Sequence, residues 1–364
     1  MRDIAEGIAA WRTAGVRFAV ATVVRTWSSA PRQPGASMAV AENGEVVGSV
    51  SGGCVEGAVY ELAGEVLRSG QPALVTYGVS EDDAFEVGLT CGGVVEILVQ
   101  PGDDTHYPEL SDILSAISEG TPVAVAQVIS GRKAMSDHLI VTPHDATGSL
   151  GDARLDKSVT DQVRGMLGSG TTGVIHVGER GEQLHDELTV FVESFAPPPR
   201  MIVFGAIDFA SAVARIGKFL GYHVTVCDAR PTFATAKRFP GIDELVVMWP
   251  HKYLDQTTVD ERTVICVLTH DPKFDVPILE RALYLPARYI GAMGSRRTHQ
   301  DRLARLREAG VTESAIARLS SPIGLDLGAR TPEETAVAIA AEIISLTWGG
   351  TGLRLTDGEL AIHR

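Results

Sequence analysis

From residue 200 onward the apolar positions fall into short β-branched runs, "RMIVFGA", "HVTVCDA", "ELVVMW", "RTVICVLT" and "RYIGAMG", separated by stretches with helical spacing such as Phe209 to Leu220. Strands that are apolar along their length are buried on both faces, and the intervening helices supply the cover. This part therefore predicts a doubly wound parallel sheet. The N-terminal part has a different rhythm. It predicts a helix over about residues 3–14, a strand "RFAVATVVRT", a hairpin "SMAVAENGEVVGSV" turning at Asn43-Gly44, and a helix over about residues 54–68. Asn-Gly between apolar runs is a strong hairpin signal, because both residues tolerate the positive φ of a tight turn.

The two patterns meet at "SFAPPPRMIVFG", where three prolines stand between apolar runs. Proline neither donates to a sheet nor continues a helix. The expected division is an N-terminal mixed α/β domain at 1–196 and a C-terminal domain at 200–364. Inside the first domain the pattern recurs: "VAVAQVIS" echoes "FAVATVV", "HLIVTPHDATGSL" echoes "SMAVAENGEVVGSV", and "GSLGDARLDKSV" aligns with "GSVSGGCVEGAV". Gly148 then falls on Gly48 and Arg154 on Cys54. Strand-turn-strand-helix units share such composition in any case. If the echo is a repeat, its second copy builds the same fold without Gly-Gly-Cys, and the fold does not demand that triplet.

Composition narrows the function classes. The 364 residues, 45% of them apolar, suffice for two cores. A formal charge of −14 counts against a broad basic face for nucleic acid or anionic lipid. No apolar run approaches the ~20 residues of a membrane helix, and "MRDIAEGIAAW" carries acids where a signal peptide has basic residues. A soluble, cytoplasmic protein is expected, with neither nucleic acid nor membrane as partner and, since most soluble oligomers are homo-oligomers, a homodimer. Four cysteines, at 54, 91, 227 and 266, are too few and too scattered for a disulfide framework or for paired zinc ligands.

Several constellations carry candidate chemistry. In Gly52-Gly53-Cys54 the glycines admit positive φ and close approach of a ligand, and a thiol at a helix start feels the positive end of the helix dipole. Cys91, followed by Gly92 and Gly93, inverts that order before a strand. Either thiol is a reactive thiolate or a small buried residue beside a tight turn. Pro31 and Pro34 stiffen a loop that presents Arg32. At "VFGAIDFA" a dinucleotide turn would need glycines at 205, 207 and 210, and the chain has Gly205, Ile207 and Ala210. Asp208 is placed to cap the following helix, and Asp228 ends the second strand where a ribose-binding acid sits. The sheet is thus Rossmann-like, while NAD(P) binding finds little support in the turn. "YIGAMGSRR" offers Gly291, Gly294 and Ser295 before a helix opening with Arg296 and Arg297, whose cations oppose the helix dipole and ask for an anion. His270 follows the fourth strand as a ligand contact or a turn residue. Thr331, Pro332 and Glu334 form a capping box that needs no ligand.

The segments "SAPRQPGASMAV", "GSVSGGCVE", "CGGVVEILV", "THDPKFD", "YIGAMGSRR" and "SPIGLDLGARTPEETAVAIAAEI" resemble the XdhC/CoxI family over nearly the whole chain. That resemblance implies an accessory protein, more a maturation chaperone than a catalyst. Such a protein binds molybdenum cofactor, protects it during sulfuration, and assists its insertion into a xanthine dehydrogenase-type molybdenum hydroxylase apoenzyme, with a cysteine desulfurase as a further partner. It further implies that Cys54 and Cys91 lie at the cofactor and its metal, that Arg32 contacts it, and that Gly291 to Arg297 form the C-terminal signature. The class that competes with it is an NAD(P)-dependent oxidoreductase built on the C-terminal sheet.

Overall fold

The computed structural model describes residues 1–27, 30–78, 93–131, 137–183, 185–269 and 271–357. Among them the chain forms two compact units, residues 1–197 and 198–357.

Unit 1 is the same arrangement built twice. The first half runs α1 (Ala5–Thr13), β1 (Phe18–Trp27), β2 (Ser37–Ala41), β3 (Val46–Gly48), α2 (Glu56–Ser69), β4 (Ala73–Tyr77) and β5 (Val94–Pro101). The second runs α3 (Leu110–Glu119), β6 (Val123–Ser130), β7 (His138–Val141), β8 (Ala146–Gly148), α4 (Ala153–Ser169), β9 (Gly173–Val177) and β10 (Leu188–Phe195). Each half makes an antiparallel sheet, in the order β3-β2-β1-β5-β4 and then β8-β7-β6-β10-β9. Alternate residues of β1 serve two cores, which is why it reads as a continuous apolar run. Ala19, Ala21 and Val23 pack with Val59, Ala63 and Val66 of α2. Phe18 and Val20 pack instead with Val123 and Val125 of β6 and with Ile8 and Ile113 of the two leading helices. Both sheets thus share one inner core, and α2 and α4 each cover the other face of their own sheet.

The alignment read from the sequence holds in backbone detail. Gly48 and Gly148 both have positive φ, +82° and +85°. The amides that follow them, of Ser49 and Ser149, donate to the carbonyls of Ser37 and His138. The first hairpin turns at Asn43-Gly44, where Gly44 has φ +88° and the Asn43 side chain accepts from the Glu45 amide. The second turns at Thr142 to Asp145, with the Thr142 hydroxyl accepting from the Asp145 amide in place of an Asn-Gly pair.

Unit 2 contains β11 (Arg200–Phe204), α5 (Asp208–Phe219), β12 (His223–Asp228), β13 (Glu244–Val247), α6 (Pro250–Leu254), β14 (Val264–Val267), α7 (Pro272–Ala282), β15 (Tyr289–Ala292), α8 (Arg296–Glu308), α9 (Glu313–Ile316), β16 (Leu319–Ser320) and α10 (Pro332–Trp348). The strands are all parallel, in the order β13-β12-β11-β14-β15-β16. The five strands expected from the β-branched runs are present, and the two-residue β16 adds a sixth. Two clusters cover the faces: Val203, Val226 and Cys266 pack under Val213 and Ile339, while Ile202, Ile265 and Ile290 pack under Ile278 and Leu306. The order reverses between β11 and β14, and ligands of such sheets bind at the carboxyl ends of the strands beside that reversal.

Candidate functional site

The loop before α2 is organised by one carboxylate. Glu56 Oε1 accepts from the hydroxyl of Ser49 at 2.6 Å and from the amides of Ser51 and Gly52 at 2.9 and 3.0 Å. Its Oε2 accepts from the Gly53 amide at 2.8 Å and from the Ser51 hydroxyl. Burial alone would raise the carboxyl pKa, but these donors outweigh it and hold it at about 2. Ser51 Oγ in turn accepts from the amides of Cys54 and Val55 at 2.9 and 3.0 Å. The backbone donors from Ser51 to Val55 are therefore engaged within the loop, whereas the sequence offered the glycine amides to a ligand. Sequence reasoning missed Glu56; an acid in the first helical turn after Ser-Gly-Gly is the signal that could have found it.

Comparison of the halves shows what the triplet does. In the second copy Asp156 accepts from the Ser149 hydroxyl at 2.7 Å and from the Leu150 amide at 2.6 Å, matching Glu56. There the cap is Asp152, which accepts from the amides of Arg154 and Leu155, and helix α4 is already under way at Ala153. In the first copy the helix begins only at Glu56. Gly52 and Gly53, at φ +78° and +118°, open the turn that is helical in the other half. A Cβ on either glycine would meet nothing within 4 Å among the described residues. Cys54 is displayed on this opened loop, half-buried against Val50, Val55 and Val59 of the core below.

Arg32 belongs to the same neighbourhood. Its Nη2 lies 3.4 Å from the Ser49 carbonyl and 3.7 Å from the Asp3 carboxylate, and its buried Nε has no hydrogen-bond partner among the described residues. The structure thus places Arg32 against Ser49, at the start of the loop that carries Gly52, Gly53 and Cys54. Gly93 is buried just before β5. Cys91, Gly92 and His270 lie outside the described residues. Cys227 and Cys266 are fully buried, and burial pushes both thiols up to about 12, which keeps them inert. No group of three His, Cys, Asp or Glu side chains that could hold a metal ion occurs among the described residues.

In unit 2 the dinucleotide turn is engaged by the protein itself. The Asp228 Oδ2 accepts from the Ala206 amide at 2.7 Å, while Oδ1 accepts from the amide and Nε of Arg230, each at 2.9 Å. Burial would raise this carboxyl's pKa; Arg230 and the Ala206 amide outweigh that and hold it low. Both oxygens a ribose would use are thereby taken. Gly205, at φ +105°, is fixed by close packing, since a Cβ would lie 3.1 Å from Thr269. Asp208 does not cap α5. Ile207 holds the N-cap position with no side-chain bond, and Asp208 reaches out to Arg238 at 3.0 Å. The carboxylate has a better partner in a guanidinium that also donates to the Ala206 carbonyl.

The other signature residues divide by role. Gly291 lies inside β15, where a Cβ would fall 2.5 Å from Ile323 and 2.6 Å from the Tyr289 hydroxyl, so it makes room for packing. Gly294 and Ser295 line a cavity of about 360 Å³ with Phe209, Met293, Thr298, Pro322, Ile323 and Thr335. Ser295 caps α8 by accepting from the Thr298 amide. Arg296 and Arg297 are exposed. Sequence reasoning missed Arg302 and Asp275, a buried pair at 2.9 Å that supports this turn, because no local pattern links residues on separate helices.

Known proteins match both units. A family profile described as XdhC and CoxI family matches residues 11–78 and 116–178, one segment in each half of unit 1, and one described as XdhC Rossmann domain matches residues 201–343. A Bacillus subtilis (strain 168) protein, named there as one of the probable subunits of xanthine dehydrogenase, is 30% identical over 331 residues, covering 89% of this chain and 92% of that one. The molybdenum cofactor insertion chaperone PaoD of Escherichia coli (strain K12) is 26% identical over 325 residues, 89% of this chain and 82% of PaoD. A crystal structure from Bacillus halodurans, described as a xanthine dehydrogenase, shares the fold with a TM-score of 0.71 at 23% identity over 98% of each chain. The matched segments, the twice-built unit 1 and the parallel sheet of unit 2 agree: the chain belongs to the XdhC and CoxI family.

Proposed function

We propose that this protein is an accessory factor that binds molybdenum cofactor as its cargo and delivers it to a molybdenum hydroxylase apoenzyme of the xanthine dehydrogenase type. The observation that carries the reading is the opened loop at Gly52-Gly53-Cys54. One half of unit 1 gives up a helical turn that the other half keeps, and the result is a half-exposed thiol on a loop whose Ser49 carbonyl is approached by an arginine. The likeness to PaoD, a chaperone by name, supports the same reading.

The residues fit the cargo's chemistry. Molybdenum cofactor joins a soft, sulfur-ligated metal to an anionic, phosphate-bearing pterin, and thiolate and guanidinium are the side chains suited to those parts. In this proposal Cys54, with Cys91, faces the metal end, and Arg32 faces an anionic group. Residues 1–196 form the cofactor-handling domain and 200–364 the Rossmann-like one. The finer steps, holding the cofactor while a cysteine desulfurase supplies the terminal sulfur and acting as a cytoplasmic homodimer, belong to the same proposal. The competing NAD(P) reading draws no support from a turn whose acid is already bonded to Ala206 and Arg230.

Anaerobic copurification tests it. Wild-type protein expressed with cofactor biosynthesis intact should retain molybdenum and pterin, and Cys54→Ala should lose most of both while its melting temperature stays within a few degrees. A variant that keeps the cofactor, or a wild-type protein that never carries it, would sink the proposal.

A further inference from the structure

The cavity in unit 2 lies at the carboxyl ends of the strands, and three helices begin around it. Phe209 is the second residue of α5, Ser295 is the N-cap of α8, and Thr335 is in the first turn of α10, and all three line the wall. Helix α10 closes its own end with the Thr331–Glu334 capping box. The other two leave donors over. Helix α5 has no side-chain cap, and in α8 the amides of Arg296 and Arg297 precede the first intrahelical bond, made by His299 to the Ser295 carbonyl. Positive helix ends and unengaged amides favour an anion.

A buried ion pair underlies this turn, with Asp275 holding Arg302 at 2.9 Å and the Ser321 hydroxyl accepting from its Nη1. Arg302, its side chain only 3% exposed, donates to the carbonyl of Met293 at 2.7 Å, and its Nη2 is 3.5 Å from where a Cβ on Gly294 would stand. Its Nε has no partner among the described residues. Of the acids nearby, Asp275 is bonded to Arg302 and Thr269, Glu342 to Tyr289 and the Gly324 amide, and Asp208 to Arg238, while Asp301, one turn along α8 from Arg297, forms no ion pair with it among the described residues. The side chains of Arg296 and Arg297, between the lining residues Ser295 and Thr298, make no hydrogen bond or ion pair among the described residues. They are exposed cations at a positive helix end, with no ion pair to an acid among the described residues.

The rest of the lining is largely apolar, with one aromatic ring: Phe209, Met293, Pro322 and Ile323. At about 360 Å³ the cavity is at the small end of ligand pockets, which run roughly 300–1,000 Å³. That suits a single ring system with one anionic group better than a dinucleotide. We propose that this cavity binds a phosphate monoester of a flat heteroaromatic ring, with the phosphate at the start of α8 and the ring against Phe209, Met293 and Ile323. The phosphate has moved from the turn after the first strand, which Asp228 and Arg238 hold closed, to the turn after β15.

Pterin phosphates and mononucleotides share this chemistry, and titration of the full-length protein separates them. Neopterin monophosphate and GMP are the probes, with guanosine, inorganic phosphate and NAD as comparators, followed by calorimetry. At least one probe should bind one-to-one and about ten-fold or more tighter than any comparator. The exposed pair change Arg296→Gln with Arg297→Gln should weaken that binding about ten-fold or more at unchanged melting temperature, and Cys54→Ala should leave it intact. A preference for the pterin would assign the cavity to the cargo of unit 1; a preference for GMP would assign it to a nucleotide. No binding up to millimolar concentration, guanosine equal to GMP with no pterin preference, or indifference to the arginine pair would overturn the proposal. Because the readout does not involve Cys54, the chaperone reading and this one can fail separately.

Discussion

Glu56 reaches back to the amide of Gly53 at 2.8 Å, and that contact across three residues fixes the loop on which Cys54 stands. Glu56→Gln removes the charge and leaves one acceptor oxygen where two now serve five donors. Hydrogen bonds to charged groups contribute about 1.5–3 kcal/mol each, so a loss of about 2 kcal/mol in denaturant unfolding at pH 7 is expected. The sign with pH follows from a carboxyl held at about 2 against an ordinary 4.5. Its stabilisation is complete above 4.5 and disappears as the pH falls toward 2, so wild type and variant should converge in acid. A difference that persisted at pH 2 would point to packing instead.

The glycines that begin the loops are constrained more tightly than those beside Cys54. A Cβ on Gly48 would lie 2.3 Å from the Ser37 carbonyl oxygen, and one on Gly148 would lie 2.2 Å from that of His138. Gly48→Ala and Gly148→Ala must therefore move backbone in addition to adopting an unfavourable φ, and each should destabilise unit 1 by more than about 3 kcal/mol. Gly52→Ala and Gly53→Ala meet no neighbour among the described residues and face the φ strain, about 1–2 kcal/mol. Thermal melts of the four variants should rank in that order, with cofactor retention falling in the latter pair.

His138 gives unit 1 an acid limit. Its ring stacks on Tyr107 at 4.2 Å, is 3% exposed, and has neither nitrogen hydrogen-bonded among the described residues. Glu109, 3.6 Å away, would favour the charged ring, but burial dominates and pushes the pKa down to about 4. The unfolded chain therefore takes up the proton first, and stability falls as the pH drops from about 6.5 toward 4, by about 3 kcal/mol in all. His138→Phe keeps the stack and should flatten the pH dependence of unfolding in that window. An unchanged slope would assign it elsewhere.

Removing one side of the Arg302–Asp275 pair should be worse than removing both. Asp275→Ala leaves a buried guanidinium without its anion, a change that costs about 3–5 kcal/mol in comparable sites. Adding Arg302→Met should restore much of it. Denaturant unfolding across the double-mutant cycle checks this, and simple additivity of the two losses would show that the charges do not depend on one another.

Much of the fold was legible because it is written in local pattern. The β-branched runs marked five strands of unit 2, Asn43-Gly44 marked a turn, and Thr331 with Glu334 marked a cap, each a matter of residues within one or two turns of chain. The echo of "GSVSGGCVEGAV" in "GSLGDARLDKSV" was visible as well, and the twin sheet orders give it physical content. Strand β16 was not legible, since two residues carry no period. Nor was the role of Asp228, whose position at the end of β12 is the same whether it holds a ribose or the Ala206 amide.

The sequence by itself determined the element types and the kinds of side chain available: a thiol after two glycines, arginines on stiff or positive turns, a parallel sheet with one glycine left of its fingerprint. Only the tertiary structure decided which of these groups are already spoken for. Glu56 takes the loop amides, Asp228 takes the dinucleotide turn, and Arg302 with Asp275 lies beneath Gly294. A hydrogen-bonding group has a fixed capacity, and whether a protein partner fills it depends on what the fold brings within about 3 Å, which spacing along the chain does not record.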